Sequence, residues 1–451
     1  MKLYNTMNHE VEELKPINPE QVKIYTCGPT VYSFAHIGNF AAYVYWDLLV
    51  RILKQNGYGV KRVMNITDVG HLTSDADEGE DKMEKGARRE GKTVWEVAQK
   101  YMDAFLEDFR ALNLVEPEAI CRATDYIEEQ KKIVDLLDEK GFLYDTADGL
   151  YFDTSKFASY ADFARLDLEN LRAGARVGFS EEKRNVSDFA VWKWIRDGED
   201  HAMQWEYRGR MGYPGWHLEC SAIAHEQLGE PFDIHTGGVD HVPVHHTNEI
   251  AQTESAFGGK MCNYWVHCNH ITIDGEKISK SLGNVYYFSD LEERGFSRED
   301  YKLWIFQGHY QANRNFSFVD LRAAHQRLRN YRNFAALRWQ REAMDFAETR
   351  DEMMANLNNN MNSAGALAVL DQAIGDGAPN EEFLDFLDAV FGLRIVETTP
   401  DISDELKEKI ATRVKAKEMK DYGLADRLRD EIEREGIEVL DTAAGPIWQY
   451  K

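Results

Sequence analysis

The sequence predicts an α/β protein in which a parallel-sheet domain is interrupted by an insertion, then followed by a helical segment and a small terminal module. Three observations carry this. Val22–Cys27 (VKIYTC) reads as a strand, and Val60–Ile66 (VKRVMNI) reads as a second. Between them, Phe40–Asn56 places Val44, Leu48, Leu49, Ile52 and Leu53 at helical spacing. Strand, loop, helix, strand opens a parallel α/β unit, whose ligands bind beyond the carboxyl ends of the strands.

Taken in order, the turn Gly28-Pro29-Thr30 ends the first strand, and Gly57 and Gly59 close the helix. A charged segment (SDADEGEDKMEKGARREGK) predicts a flexible surface loop. Helical patterns follow at about Val94–Asn113 and Tyr126–Lys140, and short strands and turns fill the stretch from Gly141 to Gly209. Strand-helix alternation resumes at Pro214-Gly215-Trp216 and runs to about Asn284, and 295–395 is almost wholly helical in pattern. Acidic, turn-rich residues near 396–404 mark a linker before terminal helices and the closing GIEVLDTAAGPIWQY. The expected divisions are 1–120 and 210–294 for the two halves of the α/β domain and 121–209 for the insertion. Residues 295–400 form the helical part and 401–451 the terminal module.

A chain of 451 residues predicts more than one domain. No apolar run reaches membrane-spanning length and the N-terminus lacks a signal-peptide core, so a soluble cytoplasmic protein with no membrane partner is expected. The net charge of −25 excludes nonspecific coating of nucleic acid but leaves room for a local basic patch on a folded RNA. Five cysteines, at 27, 121, 220, 262 and 268, are too few and too odd for a disulfide framework; metal binding or burial is expected.

Two short strings suit phosphate chemistry. His36-Ile37-Gly38-Asn39 sits at a helix start, where backbone N–H groups and the helix dipole favour anions. There His36 and Asn39 could donate, and Gly38 would admit a nucleotide closely. Lys277-Ile278-Ser279-Lys280-Ser281, followed by Leu282-Gly283-Asn284, puts two lysines around a serine on a loop able to clamp a triphosphate. A metal set stands apart from these. Cys27 ends the first strand, Cys220 lies in a helical stretch, and His245 and Glu249, four apart, share one helix face. Two thiolates, an imidazole and a carboxylate suit Zn²⁺, although His246 or His241 could replace His245 by spacing alone. Arg322, Arg327, Arg329, Arg332 and Arg338 along one helix read either as RNA contacts or as a solvated face. Lys415, Lys417, Lys420, Arg427 and Arg429 concentrate base near the terminus.

In order and position, the two strings resemble the paired signatures of class I aminoacyl-tRNA synthetases. The stretches YTCGPTVYSFAHIGN, RVMNITDVGH, EKRNVSDFAVWKW, YPGWHLECSAIA, FDIHTGGVDHVPVHHTNEIAQ and GEKISKSLGN are similar, in order and spacing, to the cysteinyl-tRNA synthetase family across nearly the whole chain. Asn39 stands where the class signature has histidine, Ile278 where it has methionine, and Thr247 where relatives often have glutamate. The resemblance implies a Rossmann-type catalytic domain split by a connective insertion, a helical bundle and a C-terminal anticodon-binding module. It implies zinc ligands at Cys27, Cys220, His245 and Glu249, one ion per chain. A cysteine pocket would involve Thr67, Trp216 and Asp240. ATP, as its Mg²⁺ complex, would meet Gly28, Thr30, His36, Gly38, Asn39 and Lys280, with His36, Asn39, Lys277 and Lys280 stabilising developing charge.

The resemblance implies activation of L-cysteine with ATP and transfer to the 3′-terminal adenosine of tRNA(Cys) by a chain expected to be a monomer. Cysteine and serine differ in one atom, and shape alone rejects near-isosteres by only ~10²-fold. A zinc ion binds a thiolate far better than an alcohol, so selection at the binding step is expected and no editing domain is needed. Rival readings are a ligase joining cysteine to a small amine, an inactive RNA- or cysteine-binding paralogue, and a zinc-stabilised structural domain.

Overall fold

The computed structural model describes residues 1–70, 82–167, 182–196, 201–279, 282–375, 377–442 and 445–451. A short antiparallel hairpin, β1 (Lys2–Asn5) and β2 (Glu10–Glu13), leads into β3 (Gln21–Thr26). Helix α1 (Ile37–Gln55) and strand β4 (Gly59–Ile66) complete the expected opening unit. Helix α1 begins three residues earlier than apolar spacing predicts, because His36 and Asn39 cap it reciprocally: Asn39 N donates to His36 Nδ1 at 3.3 Å and His36 N to Asn39 Oδ1 at 3.0 Å. Periodicity finds the buried face of a helix; a cap sets where it starts.

The charged segment expected as a loop contains a helix, α2 (Lys82–Glu90); its part from 74 to 81 lies outside the described residues. Met83 and Ala87, four apart, are buried and seat α2, a weak apolar face that the surrounding charge masks in the sequence. Then come α3 (Val94–Ala111), β5 (Ala119–Arg122) and α4 (Ile127–Glu139). The following stretch is a five-stranded antiparallel sheet: β6 (Leu143–Asp145), β7 (Gly149–Phe152), β8 (Phe189–Trp194), β9 (Trp205–Tyr207) and β10 (Arg210–Pro214). This sheet takes in Arg210–Pro214, so it runs past the expected division at 209.

The alternation that resumes is α5 (Leu218–Leu228), β11 (Phe232–Gly238), α6 (Thr247–Phe257) and β12 (Cys262–Cys268). Strands from both sides of the insertion form one parallel sheet of order β12-β11-β3-β4-β5, with Ile24 opposite both Ile234 and Arg62. Strand order reverses between β3 and β11, and ligands bind at such a switch point. A tight hairpin follows: β13 (Ile271–Ile273), the turn Asp274-Gly275 with φ of 51° and 83°, and β14 (Glu276–Lys277). Asp-Gly is the pair such a two-residue turn requires.

Helices α7 (Arg298–Phe306), α8 (Phe318–Ala336), α9 (Ala347–Leu357), α10 (Ser363–Ala373) and α11 (Glu381–Phe391) form the helical part. Buried Asp47 on α1 binds Lys302 of α7 at 3.0 Å and Arg51 at 2.8 Å, joining the sheet to the helices. The terminal segment is α12 (Asp404–Glu418), α13 (Tyr422–Arg434) and a hairpin, β15 (Ile437–Thr442) and β16 (Gly445–Tyr450). The arginines of the α8 stretch are mostly committed to internal contacts. Arg327 binds Asp371, Arg329 the Tyr450 carbonyl, Arg332 Thr398, and Arg338 both the hydroxyl and the carbonyl of Thr399.

Candidate active site

Beyond the carboxyl ends of β3 and β11 lies a cleft of about 310 Å³ lined by residues 27–35 and, among others, Gly38, Asn39, Tyr43, Trp46, Gly237, Asp240 and His270. Its floor is set by close backbone packing. A Cβ on Gly28 would fall 1.6 Å from the Asn65 carbonyl oxygen, and Gly28 N donates to Asn65 Oδ1 at 2.8 Å. Thr30 bridges Thr67 across the sheet end. At the other end, a Cβ on Gly38 would lie 2.3 Å from Ile278 Cδ1, so the α1 start and the lysine loop touch through this glycine. Asn284 braces that loop, accepting from Ser279 N at 2.8 Å and donating to the Lys277 carbonyl at 3.1 Å. Lys277 is exposed; Lys280 lies outside the described residues.

The four expected metal ligands come together: one ligand atom from each of Cys27, Cys220, His245 and Glu249 lies within 4.8 Å of every other, and all four are buried. Of the four, Cys27 lines the cleft. His245 Nδ1 meets His217 Nδ1 at 3.0 Å, which turns Nε2 toward Cys220 Sγ at 3.5 Å and Glu249 Oε1 at 2.9 Å. That carboxylate oxygen is buried and accepts no well-directed hydrogen bond from the described residues, the geometry of two atoms aimed at a shared third partner. The other oxygen of Glu249 is held by His235 Nε2 at 2.8 Å. This donor set fits a zinc ion.

A second close group, Cys27, His235, His246 and Glu249, shares two members with the first. Its histidines have other partners. His235 is spent on Glu249, and His246 Nδ1 meets His267 Nε2 at 2.8 Å, whose Nδ1 meets the Thr6 hydroxyl at 2.8 Å. His246 Nε2 lies 3.3 Å from Cys27 Sγ, so this chain steers the thiol. His245 and His246 thus stand on opposite sides of Cys27 and Glu249, one in each close group.

Burial alone would raise the Cys27 thiol, but the hydrogen bond from Cys220 and the facing imidazoles of His246, His241 and His245 hold it well below its ordinary range. Burial and the Cys27 thiolate push Cys220 well above. Burial opposes a charge on His245, yet Glu249 and Cys27 raise it to about 10. Burial likewise opposes a charge on Glu249, but His235 and His245 lower it to about 2. The shifts thus pair the Cys27 and Glu249 anions with the His245 imidazolium.

The expected cysteine-pocket residues divide. Asp240 lines the cleft and is exposed, with His270 Nε2 3.9 Å from its Oδ1. Trp216 stacks on His245 with centroids 4.4 Å apart. Thr67 is buried behind Thr30, donates its hydroxyl to Glu219 and does not line the cleft. Sequence reasoning missed His217, His235, His267, Glu219 and Thr6. His235 could have been found, because it is a histidine in the middle of a central strand; Thr6 could not, since only tertiary packing brings it to His267. Cys268, one of the cysteines for which metal binding or burial is expected, is buried and lines the cleft.

Residues 13–326 match the family described as the catalytic domain of class I (C) tRNA synthetases. The chain is 44% identical over 455 residues to a cysteine–tRNA ligase of Burkholderia lata, covering 99% of this chain and 96% of that one. It is 37% identical to the cysteine–tRNA ligase of Treponema denticola, covering 100% and 99%. Its fold is similar to Mycobacterium tuberculosis methionyl-tRNA synthetase in complex with methionyl-adenylate, with a TM-score of 0.59 at 15% identity over 83% of this chain and 90% of that one. Full-length likeness of this degree, with a cleft at the switch point, makes the chain a member of the cysteine–tRNA ligase family within the class I aminoacyl-tRNA synthetases.

Proposed function

We propose that the protein joins L-cysteine to the 3′-terminal adenosine of tRNA(Cys) in two steps, working in the cytoplasm as a monomer with one zinc ion. The observation that carries this is the placement of Cys27: it belongs to a buried four-ligand set and also faces the cleft that ends at the α1 start. When bound by Cys27, Cys220, His245 and Glu249, zinc would supply a Lewis acid for the substrate sulfur, which favours a thiolate over the serine hydroxyl. Trp216 holds the His245 ring by stacking, and Asp240 offers a carboxylate for the substrate ammonium at the cleft wall. Thr67 acts from behind, fixing Glu219 and the Thr30 turn.

ATP with Mg²⁺ would enter along Gly28, Thr30 and Gly38, where backbone approaches closely. In the first step the cysteine carboxylate attacks the α-phosphate and pyrophosphate leaves. His36 and Asn39, at the positive end of α1, and Lys277 and Lys280 on the loop would stabilise charge as it develops on the phosphates. Gly283, in the left-handed conformation at φ 66°, is a hinge for loop closure. In the second step the adenosine ribose hydroxyl takes the cysteinyl group and AMP leaves. The divisions 1–120, 121–209, 210–294, 295–400 and 401–451, with the insertion's sheet extending to Pro214, serve this as split catalytic domain, connective insertion, helical bundle and anticodon-binding module.

Cysteine-dependent ATP–pyrophosphate exchange, run against serine, tests the reading, followed by charging of tRNA(Cys). Exchange equal with serine would sink zinc selection. Exchange without tRNA charging would transfer the reading to a small-amine ligase.

A further inference from the structure

Asn65, near the end of β4, is 2% exposed and joins three parts of the chain through one side chain. Its Oδ1 accepts from Gly28 N at 2.8 Å. Its Nδ2 donates to the Thr67 hydroxyl at 3.1 Å and to Glu219 Oε1 at 3.2 Å. The Thr67 hydroxyl in turn donates to the same Glu219 oxygen. Every direction is fixed: a backbone N–H only donates and a carboxylate only accepts, so the amide has one orientation. Glu219 is buried in the first turn of α5, beside the ligand Cys220. Gly28 follows the ligand Cys27 and opens the turn that floors the cleft. Backbone bonds complete the join, from Thr67 N to the Pro29 carbonyl at 3.0 Å and from Val31 N to the Thr67 carbonyl at 3.1 Å.

A buried amide that merely filled the core would find its partners in the scaffold. Each partner of Asn65 leads instead to a part of the site. One arm reaches the turn along which ATP would enter, and the other reaches the helix that carries Cys220. Asn65 itself does not line the cleft. Resting on the functional reading above, we infer that Asn65 is a positioning residue through which ATP and cysteine strengthen each other's binding. A nucleotide seated on residues 28–30 stills that turn, and through Asn65 and Glu219 it stills the start of α5. Cysteine then meets a metal site that is already ordered, and the reverse holds by the same factor.

The test is equilibrium titration of the zinc-loaded full chain with L-cysteine and with the Mg²⁺ complex of α,β-methylene-ATP, which cannot yield the adenylate. In the wild type each ligand should lower the Kd of the other by about 10-fold. Asn65→Asp keeps an acceptor for Gly28 N but sets an oxygen against Glu219, and the factor should fall below about 2 in both directions. The analogue should also slow zinc release to a chelating dye in the wild type and not in the variant. Where Asn65→Asp fails to fold, Thr67→Val carries the test, because it removes the bridging hydroxyl and keeps the branched shape; the factor should drop to about 3 or less. Absence of coupling in the wild type would overturn the inference. So would a variant that binds both ligands more weakly with the factor intact, which would leave Asn65 a structural amide. Failure of the wild type to bind cysteine at all would instead overturn the functional reading itself.

Discussion

Cys27 stands where two hydrogen-bond systems meet, the Cys220–His245–Glu249 group and the chain running back through His246 and His267 to Thr6. Removing one thiolate should be costly. Cys220→Ser is expected to lower bound zinc below one per chain by metal analysis and to cut cysteine-dependent exchange by at least ~100-fold, with little change in melting of the rest. His217 holds the His245 ring through its Nδ1 at 3.0 Å. Loss of such a partner typically weakens metal by ~10–100-fold, so His217→Ala should release zinc faster to a chelating dye while keeping its far-UV spectrum. Cys27, Cys220 and Glu249 stood out in the sequence as donors at a strand end or on a helix face, whereas spacing left His245 interchangeable with His241 or His246, and only the family resemblance picked it out. The histidines that orient them could not be read, because an imidazole serving as an orienting group looks like any core histidine until its neighbours are in place.

Helix α1 and the lysine loop meet where the Ile278 side chain lies against Gly38. Gly38→Ala would drive a methyl into Ile278 and the His36 ring, so the loop must shift. The expected result is KM for ATP raised ~10-fold with KM for cysteine little changed, read by exchange. In the terminal segment, Asp441 on β15 is gripped by both guanidinium nitrogens of Arg413 at 3.0 Å and by Lys417 at 2.5 Å. The hydrogen bonds from Arg413 and Lys417 hold its carboxyl far below the usual range. A depressed carboxylate contributes stability above its unfolded pKa of about 4 and loses it as pH falls. Asp441→Asn should therefore destabilise by about 1 kcal/mol near pH 7, given that Asp441 is half exposed. The difference from wild type should shrink as pH falls below about 4, followed by thermal melting of both proteins. The α1, β3 and β4 elements were legible because their apolar patterns are long. The β15–β16 hairpin was not, since its two short strands follow a terminal run dominated by helical signals. Helix α2 hid behind its own charge.

Across the whole molecule, α8 ties the catalytic half to the terminal segment. Arg338, nearly buried, holds Thr399 and so fixes the path of the 397–403 connection. Arg338→Ala should speed proteolysis within that connection ~10-fold and raise KM for tRNA, while leaving exchange near wild type. The parallel sheet has a consequence of another kind. Strand β3 and Cys27 are synthesised more than two hundred residues ahead of β11 and Glu249. At ~5–20 residues per second the ribosome needs on the order of 10–40 s to cover that distance. Through this interval β3 is an unpaired edge and Cys27 a bare thiol beside it. Closing the sheet and bringing Cys27 to Cys220, His245 and Glu249 are thus one late event in the life of the nascent chain.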